Sequence, residues 1–93
     1  MQPGDELFDL LGRRWALRLV WEMGDDGLTY RELASRMPDM STSSLTQRLR
    51  ELRAARLVEH TNGYRLTSTG RELRTQLGSM RDWAERVGFA ADS

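Results

Sequence analysis

The chain has 93 residues with 14 basic and 14 acidic side chains, a formal net charge of zero, and no cysteine. This length predicts a single domain over residues 1–93, with a core so small that dimerisation is a common remedy. The absence of cysteine excludes disulfides and thiolate metal sites. No apolar run is long enough to span a membrane, and the polar, acidic N-terminus is unlike a signal peptide. We therefore expect a cytoplasmic protein.

The first predicted helix runs from Glu6 to Met23 and is apolar on two sides. One stripe on the helical wheel contains Phe8, Leu11, Trp15, Leu19 and Met23, and a second, on nearly the opposite side, contains Leu10, Leu17 and Trp21. A helix with two apolar sides is expected to be buried on both of them. Gly24 is a typical residue to follow the end of such a helix.

Two short capped helices are predicted next. Thr29 begins the second helix, and with Glu32 three positions later it has the sequence signature of a capping box. Pro38–Met40 predicts a turn, and Ser41 is the expected N-cap of a third helix from Thr42 to about Ala55. This order, followed by a hairpin, is typical of proteins that place a helix in the DNA major groove.

The third helix has an apolar side and a polar side. Leu45, Leu49 and Leu52 anchor the first, whereas the second is rich in hydrogen-bond donors and lacks acidic residues. We expect contacts to the DNA backbone from Ser41, Thr42, Ser44 and Arg48, and contacts to base edges from Ser43, Thr46, Gln47 and Arg50. Two alternatives stay open: the polar side is only solvated, or Arg48, nearer to the leucines, pairs with an acidic side chain.

A tight hairpin is predicted after the third helix. Asn62-Gly63 lies between the β-prone segments 57–61 and 64–67, a pattern that favours a type I′ turn. Asn62 and Arg65 are candidates for phosphate contacts beside this turn, although an exposed arginine in such a place is often only solvated.

The last helix is predicted to begin near Thr67–Thr69 and to end near Val87. Its apolar stripe and the second stripe of the first helix would both be exposed in a monomer, and soluble monomers rarely carry such a patch. We therefore predict a two-fold dimer. The predicted interface residues are Leu10, Leu17, Trp21, Leu77, Met80, Trp83 and Val87. Residues 1–5 and 88–93 are expected to fray.

The neutral net charge conceals a segregated charge distribution. Residues 41–75 contain seven arginines and three glutamates, a balance of +4, whereas residues 1–40 have a balance of −3 and residues 76–93 of −1. Attraction to phosphate is local, because salt screens charges beyond about 10 Å. The basic segment contains all the predicted DNA-contacting residues.

Four segments together resemble the HxlR-type winged-helix regulators, relatives of the MarR and PadR groups: LGRRWALRLVWEM, LTYREL, STSSLTQRLREL and YRLTSTGREL. The resemblance implies a mainly α, winged helix-turn-helix fold of three helices, a β-hairpin and a fourth helix, with terminal helices that dimerise. It also implies a dimeric bacterial transcription regulator whose third helix enters the major groove. Two differences are clear: several family members sense oxidants through a cysteine near the N-terminus, which this chain lacks, and its hairpin turn is shorter than the family's.

The predicted function is sequence-specific binding of double-stranded DNA by a dimeric repressor of transcription. The alternative is a ligand-binding or protein-interaction module on the same scaffold with weak or no DNA binding. Trp15, Trp21 and Trp83 could line a pocket at the dimer interface for a planar aromatic effector, although packing is the simpler role for such large side chains. His60 lacks companions for a metal site, no nucleophile–base pair suggests catalysis, and no cofactor is expected.

Overall fold

The computed structural model describes residues 2–90, which form five helices and one β-hairpin. In chain order the elements are α1 (Pro3–Leu11), α2 (Ala16–Glu22), α3 (Tyr30–Arg36), α4 (Thr42–Ala54), β1 (Val58–His60), β2 (Tyr64–Leu66) and α5 (Ser68–Arg86). The predicted mainly α, winged helix-turn-helix architecture is confirmed: α3 and α4 are the helix-turn-helix pair, and the antiparallel β1 and β2 form the wing.

The prediction of one helix from Glu6 to Met23 is wrong, because the chain turns at residues 12–15 and forms α1 and α2 instead. The amide of Ala16 donates to the carbonyl of Arg13 at 3.2 Å, a three-residue turn rather than a continued α-helix. Trp15, directly before α2, adopts a left-handed backbone conformation with φ of 77°, which residues other than glycine rarely adopt.

This break means that neither predicted stripe lies on a single helix. Each stripe contains residues of both α1 and α2, and each helix packs its own side chains. Leu19 and Val20 of α2 are fully buried, whereas Phe8 of α1 is 72% exposed. The stripe predicted from Phe8 to Met23 is therefore not one continuous buried face.

The helix-turn-helix is capped as predicted. Thr29 accepts a hydrogen bond from the amide of Glu32, and the carboxylate of Glu32 accepts one from the amide of Thr29, both at 3.0 Å. The backbone hydrogen bond from Thr29 holds the pKa of Glu32 below its ordinary value. Ser41 accepts from the amide of Ser44 at 3.1 Å and is the N-cap of α4. Both cap predictions are confirmed.

The hairpin turn holds three residues rather than the predicted two. His60 lies opposite Tyr64, so Thr61–Gly63 form the turn, and the predicted two-residue length is wrong. Asn62 and Gly63 have φ of 53° and 100°, the two positive values that a type I′ turn requires. Tyr64 forms an isolated bridge with Leu28 instead, and its amide donates to the Leu28 carbonyl at 2.7 Å. Because Leu28 takes up the backbone groups of Tyr64, they cannot close a two-residue turn.

Helix α5 is fixed at both ends. Thr67 caps its N-terminus by accepting a hydrogen bond from the amide of Gly70 at 3.0 Å. At its C-terminus, Gly88 has a φ of 66° and the amide of Phe89 donates at 2.8 Å to the carbonyl five residues earlier. These are the features of a Schellman motif, which satisfies the last carbonyls of a helix.

The described parts of the termini belong to helices or their caps: residues 3–5 lie in α1, and Gly88 and Phe89 close α5. The fraying expected for residues 1–5 and 88–93 stays a prediction. Met1 and residues 91–93 lie outside the described part of the chain.

One buried apolar cluster holds the elements together and positions α4. It draws on α2, α3, α4 and the wing, with Leu45, Leu49 and Leu52 as the inward side of α4. The opposite side of α4 is thereby turned outward. Within residues 2–90, no helix combines the length and the apolar character needed to cross a membrane.

Candidate nucleic-acid interface

The N-terminus of α4 presents a group of hydroxyls to solvent. Ser41, Thr42 and Ser43 are exposed, and the Ser41 hydroxyl lies 2.9 Å from that of Ser44 and 3.4 Å from that of Ser43. Amides at the start of a helix and its positive dipole end favour phosphate groups. The structure thus brings these four predicted residues together at a position suited to a phosphate.

One turn further along α4, Tyr30 of α3 fixes the helix from the side. Its hydroxyl donates to the carbonyl of Thr42 at 2.9 Å and lies 3.0 Å from the hydroxyl of Thr46. Thr46 is itself exposed. Tyr30 therefore joins the two helices of the helix-turn-helix through polar contacts as well as through the buried cluster.

Gln47 and Arg50 lie together on the exposed side of α4. Arg50 donates from Nη1 to Oε1 of Gln47 at 3.1 Å, and Gln47 donates from Nε2 to Oε1 of Glu51 at 3.1 Å. Both side chains remain exposed and keep unused hydrogen-bonding capacity. An arginine held in this way can make a bidentate contact with a guanine edge.

Arg48 is not placed to contact DNA, and its assignment as a phosphate-binding residue is wrong. Its Nε donates to the carbonyl of Arg14 at 3.0 Å, and its Nη1 donates to Oε2 of Glu51 at 2.7 Å. The side chain is only 22% exposed. The physical reason is its position beside the buried leucines of α4, where it faces the turn between α1 and α2. The alternative prediction, that Arg48 pairs with an acidic side chain, is confirmed.

Glu51 is the centre of this cluster and connects α4 to the α1–α2 turn. Arg13 contributes a further ion pair, with its Nη1 2.9 Å from Oε2 of Glu51. Burial raises the pKa of Glu51, but hydrogen bonds from Arg13, Gln47 and Arg48 outweigh this effect and hold the pKa below its ordinary value. The one acidic side chain of α4 is thus turned inward and neutralised.

On the wing, the two predicted residues behave differently. Asn62 is exposed at the tip with a φ of 53°. Arg65 folds back over the turn: its Nη2 donates to the carbonyl of Asn62 at 3.1 Å, and its Nε is buried without a partner among the described residues. The guanidinium is therefore held within the wing instead of reaching outward, and the structure does not place Arg65 as a free phosphate contact.

Sequence reasoning missed a basic cleft between α4 and the wing. The cleft has a volume of about 600 Å³, and its charged lining consists of three arginines and one acidic residue: Arg50, Arg53, Arg56 and Glu59. His60 also lines it and stacks on Tyr64. Within the described residues, none of these three arginines has a carboxylate oxygen within 4.0 Å. The three-residue spacing of the arginines was the available signal, since it places them along one side of the chain as the helix ends.

Arg56 also occupies a costly backbone conformation. It follows the C-terminus of α4 with a φ of 61°, and the amides of Arg56 and Leu57 donate to the carbonyls of Arg53 and Leu52 at 2.9 and 3.0 Å. This is a Schellman motif with arginine at the position that glycine usually takes. Residues that break a local rule in this way are expected at functional sites.

The predicted dimer residues divide into two groups. Leu17, Met80, Trp83 and Val87 are exposed in the single chain. Leu10 and Leu77 are half-buried against the chain's own core, and Trp21 packs beside Gly78 of α5. The physical reason is the break after α1, which lets α2 lie against α5. Exposed apolar residues that the prediction omitted, Phe8 and Phe89, extend the first group.

Trp21 carries two cations on its ring. The guanidinium carbons of Arg74 and Arg81 lie 4.5 and 5.3 Å from the ring centroid, and Arg74 also donates to the Trp21 carbonyl at 2.9 Å. A cleft of about 540 Å³ between α2 and α5 is lined by Leu17, Trp21, Leu77 and Arg81 with their neighbours. Aromatic and cationic groups here face the same space. Trp15 and Trp83 do not line this cleft in the single chain. The pocket of all three tryptophans at a dimer interface stays a prediction.

Comparison with known proteins identifies a family that this chain matches. Residues 10–91 match the HxlR-like helix-turn-helix family. The chain is similar to the quinone-bound structure of YodB from Bacillus subtilis, at 30% identity, 88% coverage of this chain and 94% of that chain, and a TM-score of 0.81. It is 30% identical to the HTH-type transcriptional regulator YdzF of Bacillus subtilis, over 92% of this chain and 87% of that relative. It also resembles the redox regulator HypR in its oxidised form, at 28% identity over 99% and 100% of the two chains, with a TM-score of 0.74.

Proposed function

We propose that this chain, which belongs to the HxlR-like helix-turn-helix family of DNA-binding transcription regulators, acts as a homodimeric repressor that inserts one α4 into the major groove of each half-site. The observation that carries the proposal is the outward side of α4. This side is polar, and Glu51, the only glutamate of the helix, is turned inward. It also includes or borders three arginines without carboxylate partners. A duplex supplies both the phosphates and the base edges that such a surface can bind.

Within this proposal the residues have different tasks. Ser41, Thr42, Ser43 and Ser44 at the start of α4 contact one backbone strand, and Arg53 and Arg56 contact the backbone on the other side of the groove. Gln47 and Arg50 reach the base edges between them. Phosphate contacts fix the position of the helix, whereas base contacts provide specificity. Asn62 at the tip of the wing is a further backbone contact.

The dimer is proposed from the apolar side chains that α1 and α5 leave exposed. Met80, Trp83 and Val87 of α5 are 62%, 49% and 54% exposed, and Phe8 of α1 is 72% exposed. A second copy of the chain is the occupant that a two-fold regulator requires, because its half-sites lie about 34–36 Å apart, one helical turn of DNA. A dimer on a promoter would then exclude the polymerase.

Binding to duplex DNA at two salt concentrations tests the proposal. With roughly 6–10 phosphate contacts for the dimer, affinity should fall by about 10³–10⁵ between 50 and 200 mM salt. Arg50→Ala should in addition reduce discrimination by about 1–3 kcal/mol at one base-pair position. Arg86→Ala, an exposed arginine at the far end of α5, is the matched control and should change neither property. A protein without affinity for its own upstream region at 50 mM salt would refute the regulator.

A second candidate activity concerns a planar aromatic effector. The cleft beside Trp21, with Arg74 and Arg81 over the ring, favours it, and the relative YodB has been crystallised with a quinone. The flat ring and the cations would recognise a planar, conjugated ligand whose oxygens accept hydrogen bonds from the guanidinium groups. Titration with such compounds should quench tryptophan fluorescence in the parent chain but not in Trp21→Phe. Equal quenching in both would assign the signal to Trp15 or Trp83 and refute the effector site.

A further inference from the structure

We infer that Thr46 presents a methyl group, not a hydrogen-bond donor, to DNA, and that it recognises the C5-methyl group of a thymine. The inference rests on the proposed function, since it requires α4 to lie in the major groove. It rests on the hydrogen bonds that Tyr30 makes with α4.

The protons available at Tyr30 and Thr46 decide the direction of their contact. A tyrosine hydroxyl has one proton, and that of Tyr30 is donated to the carbonyl of Thr42 at 2.9 Å. A carbonyl cannot donate, so no other assignment of this bond exists. The contact of 3.0 Å between the Tyr30 and Thr46 hydroxyls must therefore use the proton of Thr46. Thr46 has no proton left to donate to a base.

This assignment removes half of the contacts that a threonine can make in the major groove. Guanine N7 and O6, adenine N7 and thymine O4 are all acceptors, and Thr46 cannot donate to them. Its hydroxyl is directed at Tyr30, toward the angle between α3 and α4, although the residue as a whole is exposed. The outward part of the side chain is accordingly its methyl group.

Thr46 lies in a small cleft that a base edge could enter. The cleft is otherwise lined by Tyr30, Leu49, Arg50, Arg53 and Tyr64, so two aromatic rings and a leucine lie beside two arginines. Thymine is the one DNA base with a methyl group in the major groove, and contact with a threonine methyl is an established way to recognise it. Burial of one methyl group corresponds to an affinity change of about fourfold.

Uracil substitution tests this inference directly. An operator is first selected from random duplexes, and each thymine is then replaced by uracil, which removes the methyl group and leaves the hydrogen-bonding edge unchanged. We expect the parent chain to lose about fourfold in affinity at one thymine of each half-site. Thr46→Ser, which lacks the methyl, should bind the thymine and uracil operators equally. Thr46→Val, which lacks the hydroxyl, should bind as the parent does and keep the uracil effect.

The opposite pattern would overturn the inference: affinity retained in Thr46→Ser and lost in Thr46→Val, with thermal unfolding of both variants matching the parent. A parent chain that binds its selected operator without any uracil effect would overturn it too, while leaving the proposed function intact. Failure to select any duplex at low salt would refute the proposed function, and the inference with it. Tyr30→Phe gives an independent readout, because it releases the Thr46 proton and should weaken the preference for thymine over uracil.

Discussion

Replacing Glu51 with glutamine should loosen the attachment of α4 to the turn between α1 and α2. The carboxylate accepts hydrogen bonds from Arg13 at 2.9 Å and Arg48 at 2.7 Å, and one from Gln47 at 3.1 Å. Glutamine has the same shape, but it lacks the charge and one of its terminal groups becomes a donor facing other donors. Arg48 would lose its counter-charge and Arg13 would keep only that of Asp9, 3.1 Å away, while the apolar packing would stay unchanged.

The expected loss of stability follows from how exposed these groups are. A hydrogen bond to a charged group contributes about 1.5–3 kcal/mol, and breaking a fully buried pair costs about 3–5 kcal/mol. Glu51 is 12% exposed and Arg48 22%, but Arg13 is 44% exposed, so its share is reduced by solvent screening. We expect the free energy of unfolding to fall by about 2 kcal/mol in Glu51→Gln.

Urea unfolding at a fixed protomer concentration measures this change, because dimer formation would make stability concentration-dependent. Glu59→Gln is the matched control: it removes a glutamate that is exposed on β1, and it should shift the free energy of unfolding by less than about 0.5 kcal/mol. If Glu51→Gln unfolds at the same urea concentration as the control, the cluster does not hold α4 in place.

The pH dependence of the same pair of proteins checks the electrostatic origin. The pKa of Glu51 is lowered from its usual 4.5 in the folded chain, so its contribution is fully present above the unfolded pKa and is lost as pH falls through the folded pKa. The difference in stability between the parent and Glu51→Gln should therefore be largest near neutral pH and shrink below about pH 4.5. A difference independent of pH would indicate a packing defect instead.

Three further changes test other parts of the structure. Arg56→Gly should raise the free energy of unfolding by about 1 kcal/mol, because glycine adopts the left-handed conformation without strain. The same change should weaken DNA binding in gel shifts, and a gain in both stability and DNA affinity would refute a role for Arg56 in binding. Gly70→Ala should lower the melting temperature by an amount equivalent to about 1–3 kcal/mol, because its β-carbon would overlap the carbonyl of Leu57, whereas Gly4→Ala, with open space around it, should not. Met80→Glu should convert the dimer to a monomer in light scattering, and a monomeric parent at micromolar concentration would contradict the proposed interface.

The parts of the fold that depend on short-range signals could be predicted from the sequence. The caps at Thr29 and Ser41 are local, because each uses a side chain and an amide three residues apart. The leucines of α4 repeat at the helical period and are buried as predicted. The break between α1 and α2 was missed for the converse reason: the apolar residues on either side of it remain compatible with one helical wheel, and only Gly12 marked the interruption.

The parts of the site that depend on long-range contacts could not be predicted. Arg48 and Arg50 are both arginines on one helix, and nothing in the segment itself shows that the α1–α2 turn would approach the first and leave the second exposed. The direction of Arg65 likewise depends on Gly27, which has no side chain and leaves room for the guanidinium beside Asn62. Residue type identified candidates for binding, whereas tertiary packing decided which of them reach outward.

The same packing reconciles a neutral chain with DNA binding. In the basic segment 41–75, four arginines make contacts within the protein. Arg48 pairs with Glu51, and Arg65 folds over the wing turn. Arg71 lies 3.7 Å from Asp25, and Arg74 covers the ring of Trp21. The three that remain on the cleft are Arg50, Arg53 and Arg56. Phosphate attraction depends on charges within about 10 Å, so Glu59, which lines the same cleft, subtracts one charge from the three, and more distant acidic groups subtract little. A net charge of zero thus describes the whole molecule, and the cleft between α4 and the wing remains a locally positive surface.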